Sequence, residues 1–232
     1  MRIVKYEKLK IKKMNKEIFD FLSDLTKNNN KEWFAENKKR YEAAKKSLAE
    51  FASELINNIN TFDSGIGPLV PAKTIFRIYR DVRFSLNKDP YKTNMGSFIV
   101  PEEYKRSWDY PGYYLHLEND ASFVSMGVYM PPSPVVKLIR ESISENFDTF
   151  LSITKKLETT FGALNTDDSL QRVPTGFSKD DPSAEYLKLK SFYVAKNFSN
   201  KEVLDKNFLT KITTLFKDSF ALKSWLVKAL EG

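Results

Sequence analysis

Apolar residues along this chain recur first at helical and then at alternating spacing, and the change of period separates a helical region from a strand region. Ile18, Phe19, Phe21, Leu22 and Leu25 share one helical face and are closed by Lys27-Asn28-Asn29-Asn30, which predicts a short amphipathic helix over residues 16–26. Asn29 or Asn30 is placed to cap a second helix, with Glu32 in its positive first turn. Trp33, Phe34, Asn37, Tyr41, Ala44, Leu48, Phe51, Leu55, Ile56 and Ile59 then recur at three and four. Over roughly eight turns that spacing predicts one long helix lying across a sheet. Gly65, Gly67, Pro68 and Pro71 break the helical period, and alternation follows. Strands are expected at 75–79, 96–100, 112–117 and 122–130, the last two joined through Glu118-Asn119-Asp120 as an antiparallel hairpin. Pro131, Pro132 and Pro134 end the strands. Helices are expected at 135–147 and 149–161, a short one after Asp181-Pro182, a further strand near 192–195, and two terminal helices at 203–216 and 220–230. The predicted fold class is α+β. A single domain over 14–232 would hold an antiparallel sheet of about four to six strands, covered by the long N-terminal helix and the C-terminal helices.

Composition removes several chemistries. Without cysteine there is no disulfide, no thiolate catalysis and no cysteine-held zinc or iron–sulfur centre. One histidine, His116, rules out an all-histidine metal site, and no metal or cofactor is implied. No apolar run of about eighteen residues appears, so no membrane span is expected, and a cytoplasmic location is the default. The net charge of +7 invites a nucleic-acid reading, but its distribution restrains that reading. Arg2, Lys5, Lys8, Lys10, Lys12 and Lys13 against Glu7 place +5 of it in residues 1–13. That basic extension adjoins a nearly neutral body, and Met14 looks like an alternative start. Oligomeric state is not legible.

Candidate chemistry gathers in two stretches. In Thr74–Phe98, TIFRIYRDVRFSLNKDPYKTNMGSF, Arg77, Arg80 and Arg83 surround Asp81, and the turn at Asn87-Lys88-Asp89-Pro90 folds Tyr91 and Lys92 back toward them. Three cations around one carboxylate leave positive charge uncompensated, which suits a bound anion; the competing reading is an Asp81 ion pair closing a turn. Arg172 and Lys190 belong to the second stretch, Leu170–Phe192. Arg77, Arg83, Lys92, His116 and Arg172 are expected to line one cleft. His116, in GYYLHL, is the only side chain that titrates near neutrality unperturbed, so an acid–base mechanism would use it or Asp81; a hydrogen-bonded structural histidine is the alternative. Trp108, Tyr110, Tyr113 and Tyr114 beside Lys105 and Arg106 suit either base stacking or sheet packing. No Gly-rich phosphate loop, nucleophile elbow or zinc-protease motif is present.

The motifs FRIYRDVRFS with PYKTN, GYYLHLE, and LQRVPTGFSKDDPSAEYLKLKSF resemble the bacterial and fungal family known as domain of unknown function 2461, over roughly residues 16–230. The resemblance implies one α+β domain and no particular reaction. Where the family commonly has lysine and aspartate this chain has Leu86 and Asn87, and Ser125-Met126-Gly127 stands in place of a glycine run. Asp180-Asp181-Pro182 stands where the family has DHP, so no catalytic histidine exists at 181. Three functions follow as expectations. The first is a binding module for a phosphorylated or otherwise anionic small molecule or nucleotide, held by Arg77, Arg80, Arg83, Tyr91, Lys92, Arg172 and Lys190. The second is an enzyme acting on such a ligand through His116 or Asp81. The third is a nucleic-acid binder using the basic extension.

Overall fold

The computed structural model describes residues 13–104 and 109–231, and the basic extension, Lys105, Arg106 and Trp108 fall outside them except for Lys13. Helix α1 (Glu17–Lys27) buries the five apolar residues its spacing singles out. Asn30 caps α2 (Lys31–Glu36), its side chain accepting a hydrogen bond from the Trp33 backbone N–H at 2.9 Å. The expected long helix is two, because α2 stops at Asn37 and α3 (Lys38–Asn60) starts there. Asn37 leaves helical geometry, at φ −99° and ψ 10°, and its side chain serves both pieces, donating to the Trp33 carbonyl and accepting from Arg40. A polar side chain that can bond its own backbone competes with the helical ladder, and here it interrupts a stripe that is otherwise continuous.

Among the described residues the sheet has four strands, β1 (Asn94–Ile99), β2 (Gly112–Glu118), β3 (Ser122–Val128) and β4 (Phe192–Phe198). They lie in the order β1-β2-β3-β4, every pair antiparallel. Residues 75–79 do not form the expected strand. The four-residue helix α4 (Pro71–Thr74) runs into them, and only Ile75 and Tyr79 bridge, to Ser97 and Tyr91. The segment instead opens an arm, Ile78–Lys92, closed by Lys92 N–H to the Ile78 carbonyl and Arg80 N–H to the Pro90 carbonyl. Asn29 clamps the arm to the helices by presenting its amide as a strand would: Oδ1 accepts from the Tyr91 N–H and Nδ2 donates to the Tyr91 carbonyl.

Between β3 and β4 come α5 (Ser133–Glu145), α6 (Phe147–Glu158) and the one-turn α7 (Ala184–Leu187). After β4 and the short α8 (Asn200–Val203), the two expected terminal helices are one, α9 (Phe208–Glu231). Lys217-Asp218-Ser219 does not break it, since the Ser219 hydroxyl donates back to the Phe216 carbonyl and the residue is buried inside the helical stripe.

The main helices pack on one side of the sheet. Tyr113, Leu115 and Leu117 on β2, Val124, Met126 and Val128 on β3, and Phe192 and Val194 on β4 are buried in the core with α1, α3, α5, α6 and α9. One ion pair sits within this core. Lys223 on α9 and Asp63, just past α3, are 3% and 4% exposed and pair at 2.7 Å; the Tyr113 hydroxyl donates to the same carboxylate oxygen at 3.0 Å. A turn, a strand and a helix are thereby joined at one carboxylate. No helix among the described residues is long and apolar enough to cross a membrane.

Candidate functional site

The alternation that buries odd-numbered residues of β2 and even-numbered residues of β3 turns the other set to the opposite face. Register places Phe98, Tyr114 and Ser125 in one row of that face and Gly96, His116 and Phe123 in the next. Apart from Gly96, these residues, with Phe76 and with Tyr110, Gly112, Gly127, Tyr129 and Tyr193, enclose a cavity of about 380 Å³. Its walls are mostly rings: His116 stacks on Phe123 at 4.5 Å, Tyr114 meets Phe123 edge-on at 5.7 Å, and Phe76 lies parallel to Phe98 at 6.5 Å. Glycine makes the room. A Cβ on Gly96 would stand 2.4 Å from the Tyr114 hydroxyl, and one on Gly112 would stand 2.5 Å from the Phe98 ring. The two rings lie flat over neighbouring strands only because those strands carry no side chain there.

One end of the cavity is polar. The Tyr114 hydroxyl lies 2.9 Å from His116 Nδ1, His116 Nε2 lies 3.1 Å from Glu118 Oε2, and the Thr93 hydroxyl donates to Glu118 Oε1 at 3.0 Å. With Glu118 ionised, its oxygen accepts the Nε2 proton and leaves Nδ1 to accept from Tyr114, which assigns the tautomer. Burial pushes the Tyr114 hydroxyl up to about 12, with the Glu118 charge adding to it. Burial holds His116 below its ordinary value; Glu118 opposes this and Lys92 reinforces it. Lys92 itself stands with Nζ 5.4 Å from the Phe76 ring centre. Its pKa is lowered by burial and by Arg77, and it has no carboxylate partner among the described residues.

The arginines do not converge as the sequence suggests. Arg83 grips Asp81 with two bonds, Nε to Oδ1 at 3.0 Å and Nη2 to Oδ2 at 2.7 Å, and both side chains are largely exposed. Asp81 is therefore held below its ordinary value by Arg83, first through the side-chain bond. Arg80 spends its guanidinium on the Asp89 carbonyl and the Ser85 hydroxyl, inside the arm. Tyr91 is 5% exposed, with its ring stacked on Phe34 at 4.0 Å. Arg80, Tyr91 and Lys92 line a second, shallower concavity with Asn29, Asn87 and Asp89. Arg172 is exposed and lies outside the walls of both. Lys190 pairs with Asp168 at 2.6 Å in a third cavity beside Arg140. Of the expected cleft, only Lys92 and His116 come together, with Arg77 acting on Lys92 from outside. Tyr113 belongs to the core, and Tyr110 and Tyr114 to the cavity.

Sequence reasoning passed over Phe98, Glu118, Phe123, Ser125 and Tyr193. The signal was present for three of them, since Glu118 shares His116's strand face by parity and Phe123 and Ser125 face it across the hairpin.

These features define an α+β domain with one sheet face packed under helices and a ring-walled cavity on the other. The chain belongs to the family of conserved hypothetical proteins DUF2461, whose profile matches residues 17–225. Comparison with curated proteins and with solved structures gives no match.

Proposed function

We propose that this protein is a binding module for a small molecule with a flat conjugated body and one anionic group, a phosphate or a carboxylate. The observation that carries this is Lys92, a part-buried cation with no carboxylate partner among the described residues, whose Nζ lies 5.4 Å from the ring of Phe76, one wall of the cavity. A buried charge costs free energy until it is paired, so an anion arriving beside Lys92 recovers what burial takes away. Arg77, exposed and acting on Lys92, adds to the positive potential at the same mouth. The cavity lies within the size range of small-molecule sites, whose walls are mainly apolar with a few polar groups for orientation. It is too small for a strand of nucleic acid, which favours the small-molecule reading over base stacking in this region.

The aromatic sulfonate 1-anilinonaphthalene-8-sulfonate has both parts of such a ligand, and its fluorescence reports binding. Lys92→Met removes one charge-assisted contact, worth about 1.5–3 kcal/mol, so affinity should fall roughly 10- to 100-fold. Ser125→Phe fills the cavity and should abolish the signal. Both variants are to be shown folded by urea melts. Unchanged probe affinity in both folded variants refutes the site.

A further inference from the structure

We infer that Tyr114, His116 and Glu118 form a proton relay that makes the cavity an acid–base site acting on carbon acids, of the class of aryl-substituted keto acids. The inference rests on the binding site proposed above and adds a reaction to it.

The relay is built by strand geometry alone. Residues 114, 116 and 118 project from one face of β2, so a single strand carries the phenol, the imidazole and the carboxylate in order, with no loop needed to position them. Each link is within hydrogen-bond distance, and Thr93 fixes the far carboxylate oxygen. Stacking on Phe123 holds the imidazole plane. A neutral imidazole has one donor and one acceptor nitrogen to satisfy. This one has a partner on each nitrogen, and the phenol at one end of the chain lies in the cavity wall, while the carboxylate at the other is a third exposed.

The proton inventory gives the direction. Because the Tyr114 proton is committed to Nδ1, the phenol oxygen offers its lone pairs to the cavity. A C–H group next to the ligand's carbonyl can then lose its proton to the Tyr114 oxygen while the Tyr114 proton passes to His116 Nδ1. The C–H bond breaks heterolytically and its electron pair becomes the enolate, delocalised onto the carbonyl oxygen. The imidazolium is balanced by Glu118, and the ligand's carboxylate by Lys92. Reversal delivers the proton to the enolate oxygen or back to carbon, so the net change is tautomerisation and no oxidant or reductant is involved. An unassisted phenol whose pKa is pushed to about 12 is a poor proton acceptor near neutrality. The relay supplies what it lacks, since the base that finally holds the proton is an imidazole.

Phenylpyruvate has a flat ring, a carboxylate and an acidic C–H, and so serves as the probe. The full chain is incubated with it in D2O, and proton NMR follows the loss of the C3 proton. Binding is read separately by displacement of the fluorescent sulfonate. Wild-type protein should exchange this proton faster than buffer. Tyr114→Phe should still displace the fluorescent sulfonate and lose about 100-fold or more of the rate at saturating probe, as removal of a positioned acid–base group does. Glu118, a positioning residue, is tested by the pH profile: Glu118→Gln should shift the limb that follows His116 titration, which a purely structural change would leave in place. Probe binding with no exchange above buffer, or equal exchange in Tyr114→Phe, overturns the relay and leaves the binding site standing. Absence of binding in wild type overturns the site and the relay together.

Discussion

Removing the carboxylate of Asp63 tests how the core is held. In Asp63→Leu the ammonium of Lys223 remains 3% exposed, facing the rings of Tyr110 and Tyr113 at 5.7 and 5.9 Å with no counter-charge. Breaking a buried pair from one side costs about 3–5 kcal/mol, and the Tyr113 hydroxyl also loses its acceptor, worth about 1–3 kcal/mol. Against a total stability of about 5–15 kcal/mol for an ordinary domain, the single variant should be close to unfolded. Replacing the pair on both sides, Asp63→Leu with Lys223→Met, removes the stranded charge and should recover most of the loss. Adding Tyr113→Phe removes the stranded hydroxyl as well and should bring the protein near wild type. Urea melts decide the order. With a slope of about 3 kcal/mol per molar, 4 kcal/mol appears as a midpoint shift of roughly 1.3 M, provided the slope itself is unchanged. A single variant that loses less than about 1 kcal/mol refutes the reasoning. So does a triple variant no better than the single, because the cost would then lie in packing volume and not in charge.

Asp81→Asn should leave the urea midpoint where it is in wild type, since the Asp81–Arg83 pair lies in solvent; a clear drop would show that the arm depends on that pair for its shape. Because His116 is held below its ordinary value of 6.5 mainly by burial, the unfolded chain takes up a proton that the folded one resists. Stability should therefore fall as pH drops from about 6.5 toward the lower folded value, and melts of His116→Gln against wild type between pH 7 and 5 should show that component missing.

The sequence announces those parts of the fold in which one period governs a whole element. Ile18 to Leu25, the strands flanking the 119–121 turn, and Val136, Ile139 and Ile143 are all buried as their spacing implies. It misleads where a single polar side chain decides. Asn37 divides a stripe that looks unbroken, while Ser219 and its neighbours look like a break and are not one. The arginine cluster shows a different limit: Asp81 and Arg83 are two apart in sequence and satisfy each other, and no spacing rule separates that outcome from a shared anion site. The cavity is the deepest omission. Its residues come from β1, β2, β3 and β4, and half-buried aromatic positions read the same whether the face above them is packed or open. Only the absence of a covering layer among the described residues makes them a site.

The order β1-β2-β3-β4 has a consequence for how the chain reaches its native state. The first three strands are joined by connections of 12 residues (100–111) and 3 residues (119–121) and can pair before β4 exists, because the entropy of loop closure grows only slowly with loop length. Strand β4 arrives only after α5, α6 and α7 have been made, so during synthesis β3 waits as an unpaired edge whose apolar side lacks both its last strand and α9. Such an edge is a template for another nascent copy. Residues 129–191 thus set the length of the interval in which this protein is most exposed to aggregation, and Tyr193 completes the cavity only when that interval ends.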